Sequence, residues 1–188
     1  MRIRPFAALG AVSRRAFWLP AVLALAADLV SKHFAFAFLS QLPPDAHGRL
    51  RHPVLEPLLV LQLEKNTGGV FGLLRGKGYL FIVLTLVALG AVVWMLRKAE
   101  PGQRLLPVAL GLVAAGAVGN LVDRVWFGYV RDFLYVEIIN WPAFNIADTC
   151  ICVAAGLLVL EIFRVEAKEK KGSSPEAITR SGPPRRPR

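Results

Sequence analysis

Four long apolar stretches constrain this chain before any other feature does. They run over residues 17–39, 79–96, 105–122 and 143–163, and each meets or approaches the roughly 20 residues that a helix needs to cross the hydrocarbon of a bilayer. The hydrophobic fraction of 55% and mean hydropathy of +0.49 lie above those of a soluble domain, and the excess is collected into these runs. The expected fold class is an all-α membrane protein with four transmembrane helices, in one domain over residues 1–163. Four crossings return both termini to the same side.

Basic residues set the orientation, because short cytoplasmic segments hold the excess of lysine and arginine. Fifteen of the 23 lie in the N-terminal segment, in the 97–104 loop, or from Arg164 onward. Both termini are therefore expected in the cytoplasm, with segments 40–78 and 123–144 facing outward. The net charge of +10 fits this topology and anionic lipid headgroups, and no nucleic-acid motif accompanies it. The basic tail at 164–188 is expected to be disordered. Cys150 and Cys152 read as small buried apolar residues, and His33, His47 and His52 form no ligand cluster, so neither a metal nor another cofactor is expected. Arg14 and Arg15 precede an apolar run containing Ala24-Leu25-Ala26, which looks like a cleavable signal, but the run continues past it and an uncleaved first span is expected.

Polar residues that interrupt the apolar pattern mark what the chain does. Asp28 and Lys32 sit one helical turn apart with the acid first, the favourable order for an ion pair, and Lys32 is placed to lift its ammonium toward the interface. Segment 40–78 contains a possible strand before Asn66, and then Asn66-Thr67-Gly68-Gly69, a turn or bulge; together they predict a small extracytoplasmic β-element. The second span has no charge and gives no hint of chemistry. In the third, Gly111, Gly116 and Gly119 with neighbouring alanines form a face that lets helices approach closely. Asn120, Asp123 and Arg124 follow on one helical face. Asp132 lies in a short connection among Trp126, Tyr129, Tyr135 and Trp141, the aromatic belt of a membrane interface. Pro142 is read as opening the fourth span, with Asn145 as its N-cap and Asp148 at the third position.

Ionised carboxylates near a bilayer core cost roughly 2.5–3.5 kcal/mol and usually mark function. Two that share one proton act together as general acid and general base. The topology brings Asp28, Lys32, Asp123, Arg124, Asp132 and Asp148 to one membrane face. A proton-coupled transporter would instead spread its acids through the membrane depth and show a repeat. A noncatalytic scaffold would use Asp148 as a cap only.

Five fragments carry a resemblance: Asp28 with Lys32, Asn66-Thr67-Gly68, Gly119-Asn120-Leu121-Val122-Asp123-Arg124, Gly128-Tyr129-Val130-Arg131-Asp132-Phe133, and Phe144-Asn145-Ile146-Ala147-Asp148. In this order across four spans, they resemble the lipoprotein signal peptidase (signal peptidase II) family of membrane aspartic proteases. The resemblance implies a catalytic dyad of Asp132 and Asp148. It also implies that Asn66, Gly68, Asn120, Arg124, Asn145 and Ala147 shape the pocket, and that Asp28, Lys32 and Asp123 support it; Gly116 joins them as a packing residue. The implied fold adds a periplasmic β-cradle around 40–78 and a neighbouring outer-side helix. The implied substrate is a prolipoprotein carrying diacylglycerol on its cysteine, in the bacterial inner membrane, with globomycin-like cyclic peptides as inhibitors. Arg131 departs from the apolar or small residue usual in the family. Asp148, at a helix N-terminus, suits the base and Asp132 the acid.

Overall fold

A computed structural model describes residues 11–67, 78–100 and 103–172. Its helices are α1 (Ala11–Leu39), α2 (Gly78–Lys98), α3 (Leu105–Phe127) and α4 (Ile146–Gly172), all long and apolar enough to cross a membrane. Strands β1 (Arg51–Leu55) and β2 (Leu59–Asn66) follow α1; β3 (Val130–Val136) and β4 (Trp141–Phe144) join α3 to α4. Every strand therefore lies at one end of the bundle.

Helix α3 is the central post. Half of its apolar span is buried, against 17% or less for the other three, and it packs on all of them. Its small residues make this possible. A β-carbon added at Gly111 would fall on the Phe17 carbonyl oxygen, one at Gly116 would come within 2.5 Å of the Ala147 carbonyl oxygen, and one at Gly119 would fall on Asp28 Oδ2. The chain thus spends its glycines where α1 and α4 press against α3. At the end away from the sheet an apolar cluster of Phe17, Val92, Leu96, Ala99, Leu106 and Leu110 closes the bundle. At the sheet end, polar contacts replace it.

The four strands form one antiparallel sheet in the order β1-β2-β3-β4. Half of it comes from 130–144, which the sequence reading treated as a connection. The alternation in Val130-Arg131-Asp132-Phe133 supplies the strand, with Val130, Asp132 and Phe133 buried and Arg131 half-buried. Asn66 pairs with Val130, Lys65 with Arg131 and Glu64 with Asp132. Gly128 caps α3 with a left-handed φ of 78°, its N–H donating to the Arg124 carbonyl at 3.1 Å, and so turns the chain from helix into strand.

Other expectations also change. Pro142 sits in β4 instead of opening a helix. A single 3₁₀ turn, Glu137–Ile139, joins β3 to β4. Helix α4 continues past Phe163 to Gly172, so the first residues of the basic tail are helical, not disordered. Helix α1 passes unbroken through Ala24-Leu25-Ala26. Gly68 and Gly69 of the expected turn lie outside the described residues.

Overpacking at a tight helix contact costs about 1–3 kcal/mol. Gly119→Val should therefore lower the thermal unfolding midpoint in detergent. Gly90→Ala, where a β-carbon meets nothing within 4 Å, should leave it unchanged or raise it slightly.

Candidate active site

Lys32 does not rise to the interface. Its side chain is fully buried, and its ammonium lies 2.8 Å from Asp28 Oδ2 and 3.4 Å from Asp123 Oδ2, while donating to Asn120 Oδ1 at 2.9 Å. These internal partners explain the difference, since a lysine already paired with carboxylates gains little from reaching toward water. Asp123 does not pair with Arg124, its neighbour in sequence. It faces inward, where its Oδ1 takes Arg131 Nη2 at 2.7 Å and Nε at 3.0 Å, and its Oδ2 takes the Arg131 N–H at 2.9 Å. Asp28, Asp123, Lys32 and Arg131 thus form a buried quartet of balanced charge.

This quartet aims Asn120, and Asn120 in turn meets Asn145. Because the Asn120 carbonyl accepts from Lys32, its amide nitrogen faces the other way and donates to Asp148 Oδ1 at 2.8 Å. Asn145 is oriented by the helix it starts. Its Oδ1 accepts the Asp148 N–H at 3.0 Å, the expected N-cap, so its Nδ2 donates to Asp132 Oδ1 at 2.6 Å and to Asn120 Oδ1 at 3.1 Å. Asp28 Oδ1 accepts the next orphan donor of α4, the Ala147 N–H, at 2.8 Å. The cap and site readings of 145–148 therefore hold together. Asn66, at the end of β2, donates its Nδ2 to Asp132 Oδ2 at 2.9 Å.

Asp132 on β3 and Asp148 on α4 are consequently linked through two amides, Asn145 on Asp132 and Asn120 on Asp148, which are themselves joined by a hydrogen bond of 3.1 Å. They differ in environment, since Asp132 is 1% exposed whereas Asp148 is half-buried and lines a cavity of about 760 Å³. Burial, and after it the negative charge of Asp148, raise the Asp132 carboxyl to about 7 against the lowering effect of the Asn66 and Asn145 donors. Asn120, Asn66 and Arg124 supply the other polar lining. The rest is mostly apolar, including Phe144, Ile151 and Cys152, so Cys152 is exposed toward the cavity and not a buried packing residue.

Sequence reasoning missed Phe81. It comes from the uncharged α2, lines the cavity, and lies under the Arg124 guanidinium at 4.7 Å. Nothing in an uncharged apolar run singles it out. Of the residues named in advance, Asp28, Lys32, Asn66, Asn120, Asp123, Arg124, Asp132, Asn145, Ala147 and Asp148 converge here, and Gly116 sits against Ala147. Gly68 lies outside the described residues. Among the described residues no cluster has the makeup of a metal site.

Residues 20–164 match the family described as signal peptidase (SPase) II. The chain belongs to the signal peptidase II family. Proteins named lipoprotein signal peptidase share 44% identity over 124 residues in Geobacter metallireducens, covering 63% of this chain and 76% of the relative. In Symbiobacterium thermophilum the figures are 37% over 150 residues, 79% and 94%. A bacterial membrane enzyme solved by the in meso method at 2.3 Å superimposes with a TM-score of 0.69 at 28% identity, covering 84% of this chain and 90% of that one. This signal peptidase II family member is accordingly a multi-pass membrane peptidase.

Removing one partner from a buried ion pair costs about 3–5 kcal/mol, so Lys32→Met should sharply lower the unfolding midpoint. Carbon NMR of labelled aspartate should find Asp132 titrating near pH 7. In Asp148→Asn that titration should move to lower pH, because the neighbouring negative charge is gone; an unmoved or raised value would contradict the coupling.

Proposed function

We propose that this protein is an aspartic endopeptidase that removes the signal peptide from diacylglyceryl-modified prolipoproteins, cutting just before the lipidated cysteine. The observation that carries this reading is the link of Asp132 to Asp148 through Asn145 and Asn120, beside a mostly apolar cavity that Asp148 lines at the sheet end of the bundle. The distribution of basic residues supports an orientation with both termini cytoplasmic and that end at the outer leaflet, in what is proposed to be the bacterial inner membrane.

In the proposed reaction Asp148, ionised, takes a proton from a water as its oxygen attacks the scissile carbonyl carbon. Asp132, protonated, gives its proton to the carbonyl oxygen. The resulting diol collapses as its C–N bond breaks, with Asp148 passing the acquired proton to the leaving nitrogen and Asp132 recovering one from the diol hydroxyl. Asymmetry of burial supports this division of labour. The raised Asp132 keeps its proton near neutrality, while Asp148 faces the cavity where water and substrate enter.

The cavity suits a lipidated peptide. Its apolar side, with Ile139, Trp141 and Phe144, offers room for acyl chains, and Asn120 and Arg124 offer donors to the peptide near the carboxylates. Globomycin-like cyclic peptides are proposed to occupy the same space and compete with substrate. Asp28, Asp123, Asp132 and Asp148 gather at one end, which favours a hydrolytic site there over the acids spaced through the membrane depth that a transporter needs; Glu161, a buried acid farther along α4, stands apart from them.

Asp132→Asn and Asp148→Asn should each insert and fold yet lose cleavage of a lipidated prolipoprotein in detergent by roughly a hundred-fold or more. Wild-type turnover in either variant would sink the assignment. With Asp132 as acid, kcat/KM should fall as pH rises through about 7, when that carboxyl ionises.

A further inference from the structure

The sheet has a second face, and it also holds a cavity. Side chains alternate across a strand, so Arg131 lies opposite to Asp132, and with Leu63, Lys65 and Tyr129 it walls a groove of about 490 Å³. The last turns of α1, with His33 and Phe36, and the end of α3, with Phe127, complete it. The proposed reaction uses none of these side chains.

Charge in this groove is unbalanced. Lys65 and Arg131 are cross-strand partners, and like charges directly opposite one another destabilise a sheet unless a counter-charge offsets them. Arg131 has its counter-charge in Asp123 and also covers the Phe127 ring at 4.5 Å. Asp123 in turn belongs to the neutral quartet and has no charge to spare. Lys65 is exposed, with its ammonium 5.3 Å from the centre of the Tyr129 ring, and among the described residues lining the groove none is acidic. The groove is open to an anion.

Its depth and walls narrow the choice of anion. It lies where α1 and α3 leave the membrane; Tyr129 is the ring type that settles among headgroups, and Phe36 and Phe127 add apolar wall below it. Adjacent in sequence, Phe34, Val125 and Trp126 are large apolar side chains with well over half their surface exposed. A free phosphate would use the cation and leave this apolar surface bare; a phospholipid would cover both.

We propose that this groove binds the headgroup of an anionic phospholipid. Lys65 takes the phosphate, the Arg131 guanidinium stands beside it, and the acyl chains lie along the exposed apolar surface of α1 and α3. The site is separate from the carboxylate pair and requires only that the chain span a membrane.

The test is native mass spectrometry of the full-length protein in neutral detergent, titrated with phosphatidylglycerol or phosphatidylcholine. One phosphatidylglycerol should be retained in preference to phosphatidylcholine. Loss of one cation near a membrane surface predicts that Lys65→Gln weakens this binding roughly five-fold, and Lys65→Glu should weaken it more. Lys65→Arg should restore it, and Arg97→Gln, at the far end of α2, should leave it unchanged. Melting temperature checks that each variant is folded. No preference for phosphatidylglycerol, or the same affinity in Lys65→Gln as in the wild type, would overturn the proposal. Displacement of the lipid by millimolar inorganic phosphate would also overturn it, by assigning the groove to a free anion.

Discussion

A single ammonium group holds the sheet end of this protein together. Lys32 is buried in a place where an unpaired charge would cost several kcal/mol, and Asp28, Asp123 and Asn120 satisfy it from the same helix and from α3. Each of those partners is then committed to a second task. Asp28 closes the N-terminus of α4, Asp123 grips the start of β3 through Arg131, and Asn120 turns its amide toward Asp148. Three of the four helices and the sheet are therefore registered against one charge. An apolar core would pack these elements without dictating which way an asparagine points.

Two consequences follow for chemistry. The asparagines cannot flip without breaking a bond to Lys32 or to the Asp148 N–H, so the donors facing the two carboxyls are fixed before any substrate arrives. The carboxyls themselves are made unequal by position: one is enclosed between sheet and bundle, the other is at the cavity wall. Unequal environments separate two otherwise identical groups into acid and base roles.

Arg131 shows how one strand serves two faces. Its neighbour Asp132 points into the site, while Arg131 itself turns to the opposite side, neutralises Asp123 and forms part of the cationic groove. The Arg131 guanidinium therefore does not sit on Asp132. It strengthens the buried network behind the strand.

Much of this was legible in the chain. Apolar runs of bilayer length set the four helices, because a backbone in hydrocarbon must satisfy its own hydrogen bonds, and the glycines of α3 announced a close-packed face. Asn145 and Asp148 were readable as a cap because the first turn of a helix is a local, three-residue problem. Apart from the one-turn Asp28–Lys32 pair, partners were not readable. Arg124 follows Asp123 directly and Arg131 lies eight residues away, yet the strand after Gly128 brings the distant arginine to Asp123 and leaves the adjacent one facing the cavity. Phe81 carried no signal at all until α2 was laid beside α3. Sequence by itself determined which segments cross the membrane and which polar residues had to be accounted for, since hydropathy and capping act over short stretches. Which polar groups pair between elements, which way each amide faces and which carboxyl is enclosed were decided only by the tertiary structure, because those contacts join residues up to 119 positions apart.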